Sequence, residues 1–104
     1  MAGELEHAVA APGRAPSSTA RVDKHTVHRP HKASLRHHAL SLAVAMGDYS
    51  GGELVLEGGL HDVRYRPLEF DSGSQRHWSL PFRGERYSVM WFTPVGCEGR
   101  TLLE

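Results

Sequence analysis

A histidine and an arginine nine positions apart are the residues of this chain best suited to hold a metal ion and an organic acid. His77 lies in a strand-like run, and Arg86 opens a second, strongly apolar run. A neutral imidazole is a common metal ligand, and the planar guanidinium engages both oxygens of a carboxylate. On neighbouring strands, the two residues predict a site where a 2-oxo acid bound to iron is anchored by its far carboxylate.

The residues after Arg86 fit the wall of such a site. Because successive side chains of a strand point to opposite faces, Arg86 and Ser88 share one face. The hydroxyl of Ser88 can therefore join the guanidinium at the same carboxylate. Met90 and Phe92 continue that face as apolar surface.

Short alternating segments dominate the chain from residue 39 onward. In 39–46 every second residue is a large apolar one, which predicts a half-buried strand. Further strands are predicted near 21–23 and over 53–57, 62–66, 68–70, 75–80 and 86–93. The glycine-rich turn at 47–52 is expected to close a hairpin, and 81–85 to be a connection. Many short strands separated by glycine turns indicate an all-β, antiparallel jelly roll.

The N-terminal part has a different character, and it sets the expected organisation of the chain. Residues 1–20 are rich in Ala, Pro, Ser and Gly and predict a disordered or short-helix lead-in, with the helix at 3–10. Residues 21–96 are expected to form the core, with a histidine-rich insertion at about 25–38. Residues 97–104 are expected to be a tail.

Composition narrows the class of protein. A chain of 104 residues is one small domain, and 39% apolar with 23% charged residues is ordinary for a soluble globular protein. Cys97 is the only cysteine, so no intramolecular disulfide forms. No segment reaches the roughly 18–20 apolar residues of a membrane span, and the N-terminus is no secretory signal. We therefore expect a soluble, intracellular protein.

Resemblance to a known family rests on four segments, GDYSGGELVLE, DVRYRPLEFD, HW and PFRGERYSVMWFTP. Together they resemble the core of 2-oxoglutarate- and iron(II)-dependent dioxygenases, most closely microbial and algal members related to the TET/JBP-like branch. The resemblance spans about 21–94 and implies a partial double-stranded β-helix. It implies iron ligation by His77, 2-oxoglutarate binding by Arg86 and assistance by Ser88. A nucleic-acid substrate follows only by analogy with that branch, because few basic residues lie near the aromatic ones.

The chain departs from the family upstream of these segments. The family's metal triad begins with His-x-Asp, and this sequence contains no such tripeptide. Its nearest counterpart is Arg21-Val22-Asp23, which keeps the carboxylate and replaces the first histidine by a cation that cannot ligate a metal. His25 could complete a set with Asp23 and His77. Other candidates for the vacant position are His28, His31, His37 and His38.

Two hypotheses follow from this conflict. The first is an oxygenase that uses iron(II) and 2-oxoglutarate to hydroxylate an unidentified substrate. The second is a non-catalytic jelly-roll binding or structural module derived from that family. The replacement of the first metal histidine by Arg21 would account for an inactive site. His61 and Asp48 are interpreted as turn residues rather than as metal ligands.

Overall fold

The computed structural model describes residues 2–10, 13–24, 40–72 and 74–97. These residues form one helix and nine strands: α1 (Ala2–Val9), β1 (Thr19–Lys24), β2 (Ser41–Met46), β3 (Tyr49–Gly51), β4 (Leu54–Leu56), β5 (Gly59–His61), β6 (Leu68–Phe70), β7 (His77–Ser79), β8 (Phe82–Gly84) and β9 (Tyr87–Phe92). Within these ranges no helix has the length and apolar content needed to cross a membrane.

The strands form three antiparallel sheets. A four-stranded sheet has the order β1-β9-β2-β6, a three-stranded sheet the order β5-β4-β7, and β3 pairs with β8 in a two-stranded ribbon. The two larger sheets pack against each other through apolar side chains. This confirms the predicted all-β, jelly-roll-like fold, and the described strands do not close into a barrel.

Strand β2 contributes to two hydrophobic cores because its side chains alternate between the faces of the sheet. Ala43 and Ala45 face the three-stranded sheet, whereas Leu42 and Val44 face away from it. The buried residues between the sheets, here called the inter-sheet core, are Ala45, Tyr49, Leu54, Leu56, Val63 and Phe70. Those on the opposite face, here called the outer core, are Leu42, Val44, Val89 and Trp91, and α1 packs on them through Leu5 and Val9.

Two predictions around the glycine-rich turn are wrong. Residues 47–52 do not close a hairpin, because β2 pairs with β9 and β6, while β3 inside the turn pairs with β8. The expected connection at 81–85 contains β8. The glycines serve a close approach of two backbone segments: a Cβ at Gly47 would lie 2.2 Å from the carbonyl oxygen of Glu85. Composition alone does not distinguish that use of glycine from a hairpin turn.

A third difference concerns the strand predicted at 62–66. The strand in this region is β5, which comes earlier, and 62–66 contributes only a single parallel bridge between Arg64 and Ala45. Tyr65 has a φ of 55°, in the left-handed region, so the backbone cannot continue as a regular strand. Tyr65 also accepts a hydrogen bond from the Gly47 amide at its hydroxyl, at 3.1 Å.

Arg14 fastens the N-terminal segment to the four-stranded sheet. Its guanidinium donates to Oε2 of Glu6 (2.9 Å), to the hydroxyl of Ser17 (3.0 Å), to the carbonyl oxygen of Leu40 (2.8 Å) and to Oε2 of Glu69 (2.9 Å). The side chains of Arg14 and Glu6 are almost fully buried. Residues 13–18, predicted as a flexible lead-in, are therefore tied to α1, to the start of β2 and to β6.

Candidate carboxylate-binding site

Arg86 is a buried cation immediately before β9. The residue is 3% exposed, and its Nη2 donates to the carbonyl oxygen of Gly52 at 3.2 Å. Its Nε is buried and has no acceptor. Among the described residues no carboxylate lies within ion-pair distance of this guanidinium.

The guanidinium lies between two aromatic rings supplied by the ribbon. Its carbon is 5.5 Å from the ring centroid of Tyr49 and 5.6 Å from that of Phe82. The two rings meet edge to face, with centroids 6.2 Å apart. Pairing of β3 with β8 brings these rings together, and both pack against or within the inter-sheet core. Cation–π attraction orients the guanidinium but supplies no acceptor for its N–H groups.

Gly52 leaves the space that Arg86 occupies. A Cβ at Gly52 would lie 2.9 Å from Nε and 3.1 Å from Cδ of Arg86. Its φ of 73° is also in the region that favours glycine. The last glycine of the GDYSGG segment is thus required by the arginine side chain as well as by the backbone.

A buried cation without a counter-ion is an unusual arrangement. Moving a charge out of water is costly unless a partner of opposite charge and further hydrogen bonds replace the lost hydration. Arg86 has the Gly52 carbonyl, the Tyr49 hydroxyl and two ring faces around it, which satisfies only part of a five-donor group. An anion from outside the described chain would supply the missing charge and acceptors.

The pKa of Tyr49 is affected by the same surroundings. Burial raises the pKa of its phenol above the usual 10.0, and the nearby Arg86 and Arg64 guanidinium groups oppose that increase. Arg64 also donates from Nη1 to the Tyr49 carbonyl oxygen at 2.6 Å. Tyr49 therefore stays protonated at neutral pH and keeps a hydroxyl proton to donate.

His77 faces the inter-sheet core from the other sheet. It is 5% exposed, and its ring lies against that of Phe70, with centroids 5.3 Å apart. Its Nδ1 is 3.0 Å from the carbonyl oxygen of Gln75. In a neutral ring, an Nδ1–H that donates to this carbonyl corresponds to the tautomer with an unprotonated Nε2, which is found in many metal-binding histidines.

Ser88 and Asp23 are direct neighbours, because β1 pairs with β9 in a register that sets them opposite each other. Arg21 is two residues from Asp23 on the same face, and its Nε forms an ion pair of 3.0 Å with Oδ2 of Asp23. The arginine that stands in the position of the expected histidine thus binds the carboxylate that was expected to bind iron. Arg86 lies just before β9, so the shared face predicted for Arg86 and Ser88 stays a prediction.

The two described members of the expected iron site, Asp23 and His77, lie on strands of different sheets. Asp23 lies at the level of Ala45 in the four-stranded sheet, whereas His77 contacts Phe70, which lies at the level of Ser41. Four residues along the strand and three strand spacings separate the backbones of Asp23 and Phe70 by about 20 Å.

The remaining candidate metal ligands do not complete a metal site within the described residues. Within the described ranges no group of three His, Cys, Asp or Glu residues could hold a metal ion. His61 lies in β5, and Asp48 accepts a hydrogen bond from the Glu85 amide at its carbonyl oxygen. The histidines predicted to complete the set lie outside the described residues: His25, His28, His31, His37 and His38.

The sequence patterns identified Arg86 as the cation of the site, but they did not identify the residues that surround it. Arg86 was recognisable because it opens the most apolar strand. Tyr49, Gly52 and Phe82 were placed in a turn or a connection, since the pairing of β3 with β8 joins segments about thirty residues apart. The available signal was an aromatic residue two positions before a glycine in both segments, as in DYSGG and PFRG.

Comparison with known proteins gives no relative for this chain: no family model, no curated protein and no solved structure matches it.

Proposed function

We propose that this chain is a jelly-roll module that binds a small organic acid through Arg86, with 2-oxoglutarate as the first ligand to test. The observation that supports the proposal is the buried guanidinium that has no carboxylate partner among the described residues. Tyr49, Phe82 and Ser88 would line the carboxylate end of the ligand. This is the binding-module hypothesis of the two that the sequence left open.

The oxygenase hypothesis has one specific observation in its favour, the orientation of His77. Its Nδ1 contact with Gln75 leaves Nε2 in the metal-binding form. The Arg21–Asp23 ion pair argues against the oxygenase hypothesis, because it engages the carboxylate that was expected to bind iron. We therefore place ligand binding before catalysis, and oxygenase activity stays a prediction.

The proposal is tested by anaerobic calorimetry with 2-oxoglutarate, with and without iron(II). Wild-type protein should bind 2-oxoglutarate without iron, and Arg86→Gln should weaken binding at least about 30-fold, because a charge-assisted bidentate contact contributes roughly 2 kcal/mol or more. Arg76→Gln, which changes an exposed arginine, is the matched control and should bind like wild type.

The two hypotheses give different results in this experiment. Binding that requires iron would favour the oxygenase, and succinate formation would establish it. If neither 2-oxoglutarate nor other short dicarboxylates bind wild-type protein under either condition, the proposed function is wrong. Circular dichroism shows whether the Arg86 variant is folded, and Arg86→Lys provides a second variant that keeps the charge but loses the planar fork.

A further inference from the structure

Strand β1 is an edge with an unusual pattern of side chains. In the described part of the chain it pairs only with β9 and stands at one end of the four-stranded sheet. Val22 at its centre is 65% exposed, and the Arg21 side chain is 53% exposed. An edge strand of six residues with an exposed β-branched centre is a template for pairing with another strand.

We propose that β1 is a homodimerisation edge, at which two copies of the chain pair β1 with β1 antiparallel about a twofold axis at Val22. The four-stranded sheets of the two copies would then join into one continuous sheet. This inference is independent of the ligand at Arg86.

Backbone geometry limits the possible registers. In an antiparallel pair, the facing residues both direct their N–H and C=O groups toward the partner strand or both away from it. Since these directions alternate along β1, a residue can face only one whose number has the same parity. A symmetric pair of identical strands must therefore have its axis at a residue and not between two residues.

Charge then selects one axis near the centre of the strand. With the axis at Arg21, two arginines face each other, and with the axis at Asp23, two aspartates do so. Like charges directly opposite each other are destabilising. With the axis at Val22, Arg21 of each copy faces Asp23 of the other, and the two exposed valines meet. This register forms two opposite-charge pairs and covers apolar surface in the same step.

The same two residues form an ion pair within one chain, so the exchange costs little. Arg21 and Asp23 already lie on one face of β1 with 3.0 Å between Nε and Oδ2. In the dimer each carboxylate would lie among arginines of both copies. The joint is isologous, so it closes at two copies and does not extend to a fibre.

Charge exchange with mixing of variants tests the proposal. Wild-type protein should show a concentration-dependent dimer in sedimentation velocity up to about 1 mM. Arg21→Asp sets two aspartates against each other, and Asp23→Arg sets two arginines, so each variant alone should dissociate at least about tenfold more readily. An equimolar mixture should recover a dimer, because the Arg21→Asp position of one chain then faces the Asp23→Arg position of the other. An intrachain effect cannot produce that recovery.

A cross-linking experiment covers the case in which a charge variant misfolds. In a Cys97→Ser background, Val22→Cys should oxidise to a covalent dimer, since position 22 faces itself across the axis. Val95→Cys, at another well-exposed valine, is the control for random collision and should stay mainly monomeric. Wild-type protein that is monomeric throughout, a mixture that fails to associate, or equal cross-linking at 22 and 95 would each overturn the proposal.

Discussion

Arg86 shows how a single side chain can define a site before any ligand is known. Its charge is buried between two rings and a glycine, and the described chain gives it one carbonyl acceptor. Glu53 also has a buried carboxylate oxygen, Oε2, without an acceptor or donor partner. Buried polar atoms without a hydrogen-bond partner are rare in folded proteins. A buried charged group with such an atom indicates a ligand site more strongly than an exposed cation does.

At the residue scale, Gly52→Ala should destabilise the protein more than Gly58→Ala. Both glycines have positive φ, 73° and 102°, so both substitutions carry the left-handed strain of about 1–2 kcal/mol. Only at Gly52 would the new methyl also collide with Arg86, since nothing lies within 4 Å of a Cβ at Gly58. We expect Gly52→Ala to cost at least about 3 kcal/mol in urea unfolding. Equal losses for the two variants would show that the space beside Arg86 is not tight.

Tyr49 should make the stability depend on alkaline pH. Its pKa is raised by burial, so the folded chain holds the phenolic proton more tightly than the unfolded chain does. The free energy of unfolding should therefore be unaffected by this group below about pH 10 and should fall as the pH rises above it. Tyr49→Phe should remove that part of the loss when unfolding is compared between pH 8 and pH 11. An unchanged slope in the Phe variant would contradict the assignment.

Helix α1 is held in place by apolar contacts and by polar contacts. Leu5 and Val9 pack on the outer core, while Glu6 accepts from the Ser17 amide (2.9 Å) and hydroxyl (2.6 Å). Arg14 completes the polar part and extends it to the sheet. A helix of eight residues is marginal by itself, so these contacts decide whether it forms.

At the element scale, Arg14→Met should destabilise the protein by about 3–5 kcal/mol, because it leaves the buried Glu6 carboxylate without its cation. The double variant with Glu6→Gln should be more stable than Arg14→Met alone, since the charge that needed a partner is gone. A double-mutant cycle by urea unfolding measures this coupling. Additive losses would mean that the two side chains act independently. The helical signal of the N-terminal segment should decrease in Arg14→Met.

The longer elements were predictable and the short ones were not, for a physical reason. Strands β2 and β9 have six residues each and show clear alternation, which a single sequence reveals. The predicted helix at 3–10 corresponds to α1 within two residues. Strands β3 and β8 have three residues each and contain glycine, so they exist because of their mutual pairing and not because of local preference.

At the scale of the whole molecule, the order of strands decides which residues can meet. β9 lies between β1 and β2, so the last strand of the described chain is central in the four-stranded sheet. Local patterns do not encode such long-range neighbours. For that reason the sequence could predict a shared face for Arg86 and Ser88, but it could not show that Asp23 and His77 lie on strands of different sheets.

Because the side chains of β2 alternate between two cores, the insertion or deletion of a single residue in this strand would have a specific effect. Leucine and valine point to one core, and two alanines to the other. Loss or gain of one residue between Ser41 and Met46 would exchange the two sets of side chains. The large side chains would then face the inter-sheet core, and the alanines would leave cavities in the outer core. An inserted or deleted residue within this strand should therefore destabilise the protein more than one in the segments that flank it.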